Sequence, residues 1–123
     1  MKKIAVIGAT GYTGRELVRI LLKHPKVKIE AMTSEQYAGS LYSKIYPQFL
    51  GLCDRALESL DVGGIAKRVD LAFLALPHGE AAKTAQPLLD AGVSVIDLSA
   101  DFRLPSHGQG IGIHPPLSSG QVS

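Results

Sequence analysis

The sequence has 123 residues, a formal net charge of +2, 46% hydrophobic residues and 20% charged residues. This composition predicts one globular domain and argues against a disordered chain. No apolar run approaches the roughly 20 residues that cross a bilayer, and the lysines and arginines are scattered, so neither a membrane nor nucleic acid is an expected partner. No signal peptide is recognisable behind Met1, and we expect a cytoplasmic location.

The chain opens with a strand and a glycine-rich turn. Apolar residues 4–7 precede glycines spaced G-x-x-G-x-x-G, and residues 12–23 carry apolar side chains at helical spacing. Such glycines let the backbone turn sharply beside a pyrophosphate, and the following helix N-terminus favours an anion. A tight turn without a ligand is the alternative. The candidate cofactor-binding residues here are Gly8, Thr10, Gly11, Tyr12, Thr13 and Gly14.

A second strand is predicted over residues 27–33, because Pro25 ends the helix and apolar and polar residues then alternate. The two strands should be parallel and joined by a right-handed crossover. A dinucleotide's ribose is bound at the end of this second strand, where Thr33, Ser34 and Glu35 stand. Glu35 would favour NAD if it points inward, whereas the two hydroxyls would accommodate the 2′-phosphate of NADP; the sequence leaves both open.

The next region lacks a steady period. We interpret residues 34–52 as a long ordered loop whose tyrosines pack against the sheet edge. Residues 52–58 are predicted to form a short edge strand. Residues 61–67 are predicted to form a short helix with Asp61 as its cap.

A second β-α-β unit completes the predicted sheet. Residues 69–76 form a nearly continuous apolar run, typical of a parallel strand covered on both faces. Residues 80–91 are predicted to be helical with a kink at Pro87, Gly92 suits the left-handed position after the helix, and residues 93–98 form the next strand.

These elements predict an α/β fold: a Rossmann-type, doubly wound parallel sheet over residues 1–104, with its strands in the order 3-2-1-4-5. Residues 105–123 are rich in glycine, proline and serine. We expect them to form an irregular tail.

Two further segments should meet the glycine turn, because the carboxyl ends of parallel strands lie at one edge of a sheet. They are residues 76–79 and residues 99–103. His78 would either contact the nicotinamide or ribose, or orient its own turn through a backbone hydrogen bond. Arg103 is suited to a substrate phosphate, and the alternative is a structural ion pair with Asp101.

No metal site is predicted. Cys53 is the only cysteine, and we interpret it as a small buried hydrophobe rather than a nucleophile. His24, His107 and His114 lack the spacing of metal ligands.

Together, four motifs resemble one family closely. They are GATGYTG at residues 8–14, Thr33-Ser34, ALPHG at residues 75–79 and DLSADFRL at residues 97–104. The chain resembles the N-terminal part of the N-acetyl-γ-glutamyl-phosphate reductases. That resemblance implies NADPH-dependent reduction of a small acyl phosphate to N-acetylglutamate semialdehyde and phosphate, in arginine biosynthesis.

The resemblance also implies roles for individual residues. The glycine turn would bind the dinucleotide, and kinship with the family makes NADP the expected cofactor. Many family members have an arginine suited to the 2′-phosphate where Glu35 stands here, so NAD is not excluded. Further residues implied to lie at the cofactor are Leu76, Pro77, His78 and Ser99, and the residue implied at the substrate phosphate is Arg103.

Two features of the family are missing. Its nucleophilic cysteine, in a Gly-Cys-Tyr-Pro-Thr-like motif, and its catalytic histidine have no counterpart in this chain. We therefore predict no catalytic residue, an absent catalytic domain and no turnover by this chain alone. The alternatives are a nucleotide-sensing or interaction module, or a fragment of an aspartate-semialdehyde-dehydrogenase-like reductase. Surface left uncovered by the missing domain would allow a homo-oligomer.

Overall fold

A computed structural model describes residues 1–98 and 112–114 of the chain. They form a five-stranded sheet in the order β2-β1-β3-β4-β5, with helices on both faces. The strands are β1 (Lys2–Ile7), β2 (Val27–Thr33), β3 (Leu71–Leu74), β4 (Ser94–Asp97) and β5 (Gly112–His114). The helices are α1 (Tyr12–Leu22), α2 (Tyr42–Ile45), α3 (Val62–Ala66) and α4 (His78–Asp90), and a single 3₁₀ turn spans Pro47–Phe49.

Strands β1 to β4 run parallel, which confirms the predicted Rossmann-type α/β fold. Helix α1 ends at Leu22, before Pro25. Strand β2 then pairs with β1, from Val27 opposite Lys2 to Thr33 opposite Ile7. The sheet therefore brings the carboxyl ends of β1 and β2 together beside the turn that enters α1.

Apolar residues on alternate sides of β1 build the two halves of the core. Ile4 and Val6 face the layer of α1 and α2, whereas Ala5 and Ile7 face the layer of α3 and α4. All four are completely buried. A parallel strand needs this cover on both faces because neither face meets water.

The predicted edge strand over residues 52–58 is wrong. This segment makes only isolated bridges, one parallel between Thr33 and Glu58 and one antiparallel between Leu41 and Ala56. The amides of Tyr42 and Leu57 donate to the carbonyls of Arg55 and Ser40, so the segment pairs mainly with the loop before it. The predicted order 3-2-1-4-5 thus loses its outermost strand, and the parallel strands lie in the order β2-β1-β3-β4.

A short strand lies within the tail that was expected to be irregular. Gly112–His114 pairs antiparallel with β4, with His114 opposite Val95. The sheet is therefore parallel except at this edge, where β5 takes up hydrogen bonds that β4 would otherwise offer to solvent. The rest of the predicted tail lies outside the described residues.

Both predicted helix boundaries around the second unit are borne out. The Asp61 carboxylate accepts a hydrogen bond from the Gly64 amide at 3.3 Å and caps α3. Gly92 follows Ala91, the C-cap of α4, and its φ of +89° is the left-handed conformation predicted for it. In the described part of the chain, no helix has the length and apolar character that crossing a membrane requires.

Candidate functional site

The glycine turn between β1 and α1 is packed so closely that two of its positions admit no side chain. A Cβ at Gly14 would lie 2.3 Å from the Gly8 carbonyl oxygen, and one at Gly8 would lie 2.6 Å from the Ala75 carbonyl oxygen. Gly8 also has φ +86°, which L side chains rarely adopt. These contacts hold the start of α1 against the ends of β1 and β3.

Gly11, the middle glycine, has a different environment. A Cβ there would meet no atom within 4 Å, and its φ of −81° is open to any residue. Gly11 is the N-cap of α1, and no side chain caps the helix. The first amide N–H groups of a helix have no partner inside it and carry the positive end of its dipole. This open, donor-rich space therefore fits a phosphate group.

Two tyrosines fix the carbonyl side of the turn. The Tyr42 hydroxyl donates to the Ala9 carbonyl at 2.8 Å, and the Tyr46 hydroxyl donates to the Thr10 carbonyl. From β2, Thr33 accepts the Gly8 amide on its Oγ1 at 3.1 Å and the Ala9 amide on its carbonyl at 2.9 Å. The turn is thus held from both sides before any ligand binds.

Sequence reasoning missed this role of the tyrosines. They were expected to pack against the sheet edge, and the rings of Tyr42, Tyr46 and Phe49 do pack together, with centroids 5.1 to 6.4 Å apart. Their hydroxyl contacts span more than 30 residues of sequence, so no local spacing reports them. Burial, followed by the nearby Tyr46 hydroxyl, raises the pKa of Tyr42, which keeps its hydroxyl protonated as a donor.

Two pockets flank the glycine turn. The first, which we call the turn pocket, is lined on one side by Gly11, Tyr12, Thr13 and Gly14, and on the other by Ala75, Leu76 and Pro77. The second, the strand-end pocket, is lined by Gly8, Thr33, Ser34, Glu35, Leu60, Leu76, Glu80 and Thr84 with Ile7. Leu76 lines both pockets. Segments predicted separately from the sequence thus meet at the carboxyl edge of the sheet.

The end of β2 offers both hydroxyls and a carboxylate. Ser34 is buried, and its Oγ lies 3.0 Å from the Thr10 Oγ1 and accepts the Tyr37 amide at 3.1 Å. Glu35 is exposed, and its carboxylate accepts the Leu60 amide at 3.4 Å. The geometry therefore keeps open both alternatives from the sequence, a carboxylate that would favour NAD and hydroxyls that would accommodate the 2′-phosphate of NADP.

Other predicted site residues are placed less fully. His78 is the first residue of α4, so its backbone lies just beyond β3. Ser99, Asp101 and Arg103 lie outside the described residues. Their contacts with cofactor and substrate phosphate stay predictions.

Cys53 lies apart from both pockets. It is buried, its thiol donates to the Met32 Sδ at 3.7 Å, and it borders a separate cavity between α1 and β2. Burial raises the pKa of the Cys53 thiol, which disfavours the reactive thiolate. These features agree with the interpretation of Cys53 as a buried hydrophobe. Among the described residues, no three His, Cys, Asp or Glu side chains are grouped to hold a metal ion.

The chain matches one protein family over almost its whole length. Residues 3–119 fit the sequence model described as semialdehyde dehydrogenase, NAD binding domain. Among solved structures, aspartate semialdehyde dehydrogenase with NADP from Candida albicans superposes with a TM-score of 0.70 at 26% identity, covering 85% of this chain and 31% of that one.

Curated relatives are more similar in sequence. The N-acetyl-gamma-glutamyl-phosphate reductase of Citrifermentans bemidjiense is 49% identical over 85% of this chain and 30% of its own length. The [LysW]-L-2-aminoadipate/[LysW]-L-glutamate phosphate reductase of Saccharolobus solfataricus is 48% identical over 83% of this chain and 29% of its own length. The chain thus spans about 30% of the length of these relatives.

Proposed function

This chain belongs to the semialdehyde dehydrogenase NAD-binding domain family, and we propose that it is the NADP-binding part of a reductase acting on N-acetylglutamyl phosphate. The substrate class follows from the 49% identical relative, which is named for that reaction. The preference for NADP over NAD is part of the proposal.

The open space at Gly11 is the observation that carries the proposal. A phosphate placed there would receive hydrogen bonds from the first amides of α1 and would meet no side chain. Gly8 and Gly14 let the turn pack closely against the end of β3 and against its own backbone. The proposed phosphate site is therefore formed before the cofactor binds, and binding would lose little conformational entropy.

The remaining pocket residues fit the other parts of the proposed cofactor. Leu76 and Pro77 border the turn pocket beside the phosphate seat, where they would exclude water from the nicotinamide half. Thr33 and Ser34 line the strand-end pocket after β2, where they would bind the adenosine ribose. When bound, the reduced cofactor supplies a hydride to the carbonyl carbon of the substrate.

Replacement of Gly11 by alanine tests this seat. We expect Gly11→Ala to weaken NADPH binding by about tenfold or more, because the methyl group fills the space for phosphate and displaces hydrogen bonds to a charged group. Its cost in stability should stay near the roughly 1 kcal/mol of a lost N-cap preference. NADPH fluorescence titration measures the affinity and urea unfolding measures the stability.

Gly63→Ala is the matched control, since Gly63 lies in α3, lines neither pocket, and its Cβ would approach only the Asp61 carboxylate, at 4.0 Å. It should bind NADPH as the unmodified chain does. Unchanged affinity in Gly11→Ala would show that phosphate does not occupy this space. Failure of the unmodified chain to bind either NADPH or NADH would overturn the proposed function itself.

A further inference from the structure

Two neighbouring peptide units of the glycine turn have bound carbonyl groups and free N–H groups. The Ala9 carbonyl accepts the Tyr42 hydroxyl at 2.8 Å. The Thr10 carbonyl accepts the Tyr46 hydroxyl. Within the part of the chain that the structure describes, no backbone or side-chain group accepts a hydrogen bond from the Thr10 or Gly11 amide. Two successive amides without a protein partner are donors that a bound anion can use.

The geometry of the peptide bond connects the bound carbonyls with the free amides. The Thr10 carbonyl and the Gly11 N–H belong to one peptide unit, and the described chain has no cis peptide bond. In a planar trans unit the C=O and N–H bonds point in opposite directions. The hydrogen bond from Tyr46 therefore turns the Gly11 N–H away from the tyrosines. The hydrogen bond from Tyr42 does the same for the Thr10 N–H.

The other backbone group of Gly11 is fixed as well. Its carbonyl accepts the Arg15 amide at 2.9 Å, in the hydrogen bond that begins α1. Gly11 lines the turn pocket, whereas Tyr42 and Tyr46 line neither pocket. Both neighbouring carbonyls of this residue are thus held by the protein, and its N–H is left available at the wall of the turn pocket.

The Tyr46 ring is held from several sides without using its hydroxyl. Its centroid lies 5.2 Å from that of Tyr42 and 6.4 Å from that of Phe49, and both pairs meet edge to face. The Arg15 guanidinium carbon lies 5.4 Å from the same centroid. A phenylalanine at this position would therefore keep the ring contacts and lose only the hydrogen bond to the Thr10 carbonyl.

We infer that Tyr46 is a positioning residue, whose hydroxyl aims the Gly11 amide at the pyrophosphate of the bound dinucleotide. Tyr42 acts in the same way on the Thr10 amide. This inference rests on the proposed function, because it requires a dinucleotide at the turn. Without the hydroxyl, the peptide unit would be free to rotate, and an amide that must be reoriented binds an anion less tightly than one already in position.

Binding of NADPH and NADH to Tyr46→Phe tests the inference. We expect both dissociation constants to rise by the same factor, about threefold to tenfold, which is the usual effect of losing one neutral hydrogen bond. The factor should be equal because the two cofactors share the pyrophosphate. Inorganic pyrophosphate should displace NADPH from the unmodified chain, and its own affinity should fall in the variant by a similar factor. Fluorescence titration measures the affinities.

The orientation of the amides gives a second readout, which a purely structural role of Tyr46 would not change. In heteronuclear NMR spectra, saturating pyrophosphate should move the Thr10 and Gly11 amide protons of the unmodified chain downfield, because a charged acceptor binds them. The displacement of the Gly11 signal should be smaller in Tyr46→Phe at the same saturation.

Tyr37→Phe is the matched control, because Tyr37 lies in the same loop, is 37% exposed and lines neither pocket. It should change neither the affinities nor the amide signals. If circular dichroism shows that Tyr46→Phe does not fold, Tyr42→Phe replaces it, because it removes the corresponding hydrogen bond to the Ala9 carbonyl. The Thr10 amide signal is then the one to follow.

Unchanged affinities in the folded variant would overturn the inference. A loss confined to NADPH would overturn it as well, since the pyrophosphate is common to both cofactors, and so would weaker binding with an unaltered response of the amide signals. These outcomes leave the proposed function intact. An unmodified chain that binds neither cofactor overturns both.

Discussion

Tyr42 combines complete burial with a hydrogen bond to a backbone carbonyl of the glycine turn. Its side chain is 0% exposed and donates to the Ala9 carbonyl at 2.8 Å. A phenol in this position contributes only while it is protonated, because a buried phenolate could not donate and would be poorly solvated. The geometry of the candidate site is thereby linked to the protonation of one residue that lines neither the turn pocket nor the strand-end pocket.

This linkage predicts a loss of stability at alkaline pH. Since burial raises the Tyr42 pKa above its ordinary value of 10.0, the unfolded chain releases this proton first as the pH rises. The contribution of Tyr42 to stability is therefore complete below pH 10 and is lost above it, by up to about 1.4 kcal/mol per pH unit.

Tyr42→Phe should remove this alkaline slope and cost about 1 kcal/mol at neutral pH for the lost hydrogen bond. Urea unfolding between neutral pH and pH 11 measures both effects. Tyr37→Phe is the control, because the Tyr37 ring is 37% exposed. An alkaline slope that persists unchanged in Tyr42→Phe would show that other groups cause it.

At the scale of the elements, secondary structure was predicted correctly where the sequence has a regular period or a local signal, and less well in the long segment without a period. The β-α-β units, the Asp61 cap and the left-handed Gly92 depend on neighbours in sequence, and they were predicted correctly. The predicted strand over residues 52–58 was wrong, because the segment pairs mainly with residues 39–42, and only Glu58 bridges to the end of β2. Pairing with a loop leaves no period in the sequence to detect.

The end of α4 gives a prediction about backbone conformation alone. Gly92 has φ +89°, and a Cβ there would meet no atom within 4 Å. Gly92→Ala should therefore destabilise the fold through left-handed strain only, by about 1 to 2 kcal/mol. Thermal and urea unfolding measure the change.

Gly79→Ala, at the other end of the same helix, is the matched substitution. It has an ordinary φ and equally open surroundings, so it should be neutral or slightly stabilising. Equal costs at both positions would contradict the role assigned to the left-handed conformation.

For the whole molecule, the described structure keeps the only thiol of the chain away from the glycine turn and its two pockets. Cys53 lines neither the turn pocket nor the strand-end pocket, and burial raises its pKa. Transfer of an acyl group from phosphate requires an accessible thiolate or an equivalent nucleophile. On the proposed function, cofactor binding by this chain would therefore not be accompanied by turnover through Cys53.

We accordingly expect the chain to bind NADPH without oxidising it when N-acetylglutamyl phosphate is added. NADPH absorbance and phosphate release follow the reaction, and Cys53→Ala should alter neither these nor the NADPH affinity. Turnover by the unmodified chain that Cys53→Ala abolishes would identify Cys53 as the nucleophile and contradict the structural interpretation.

The sequence by itself determined the fold class, the glycine turn and the family. The reason is that the spacing of glycines and apolar residues is a local property, which can be read directly from one sequence. Only the tertiary structure decided which of the three glycines faces open space. A Cβ at Gly8 or Gly14 would meet atoms that the segment after β3 or the folded turn brings close, whereas a Cβ at Gly11 would meet none. The contacts of Tyr42, Tyr46 and Arg15 around the turn are likewise set by packing between distant segments, which no spacing in the sequence records.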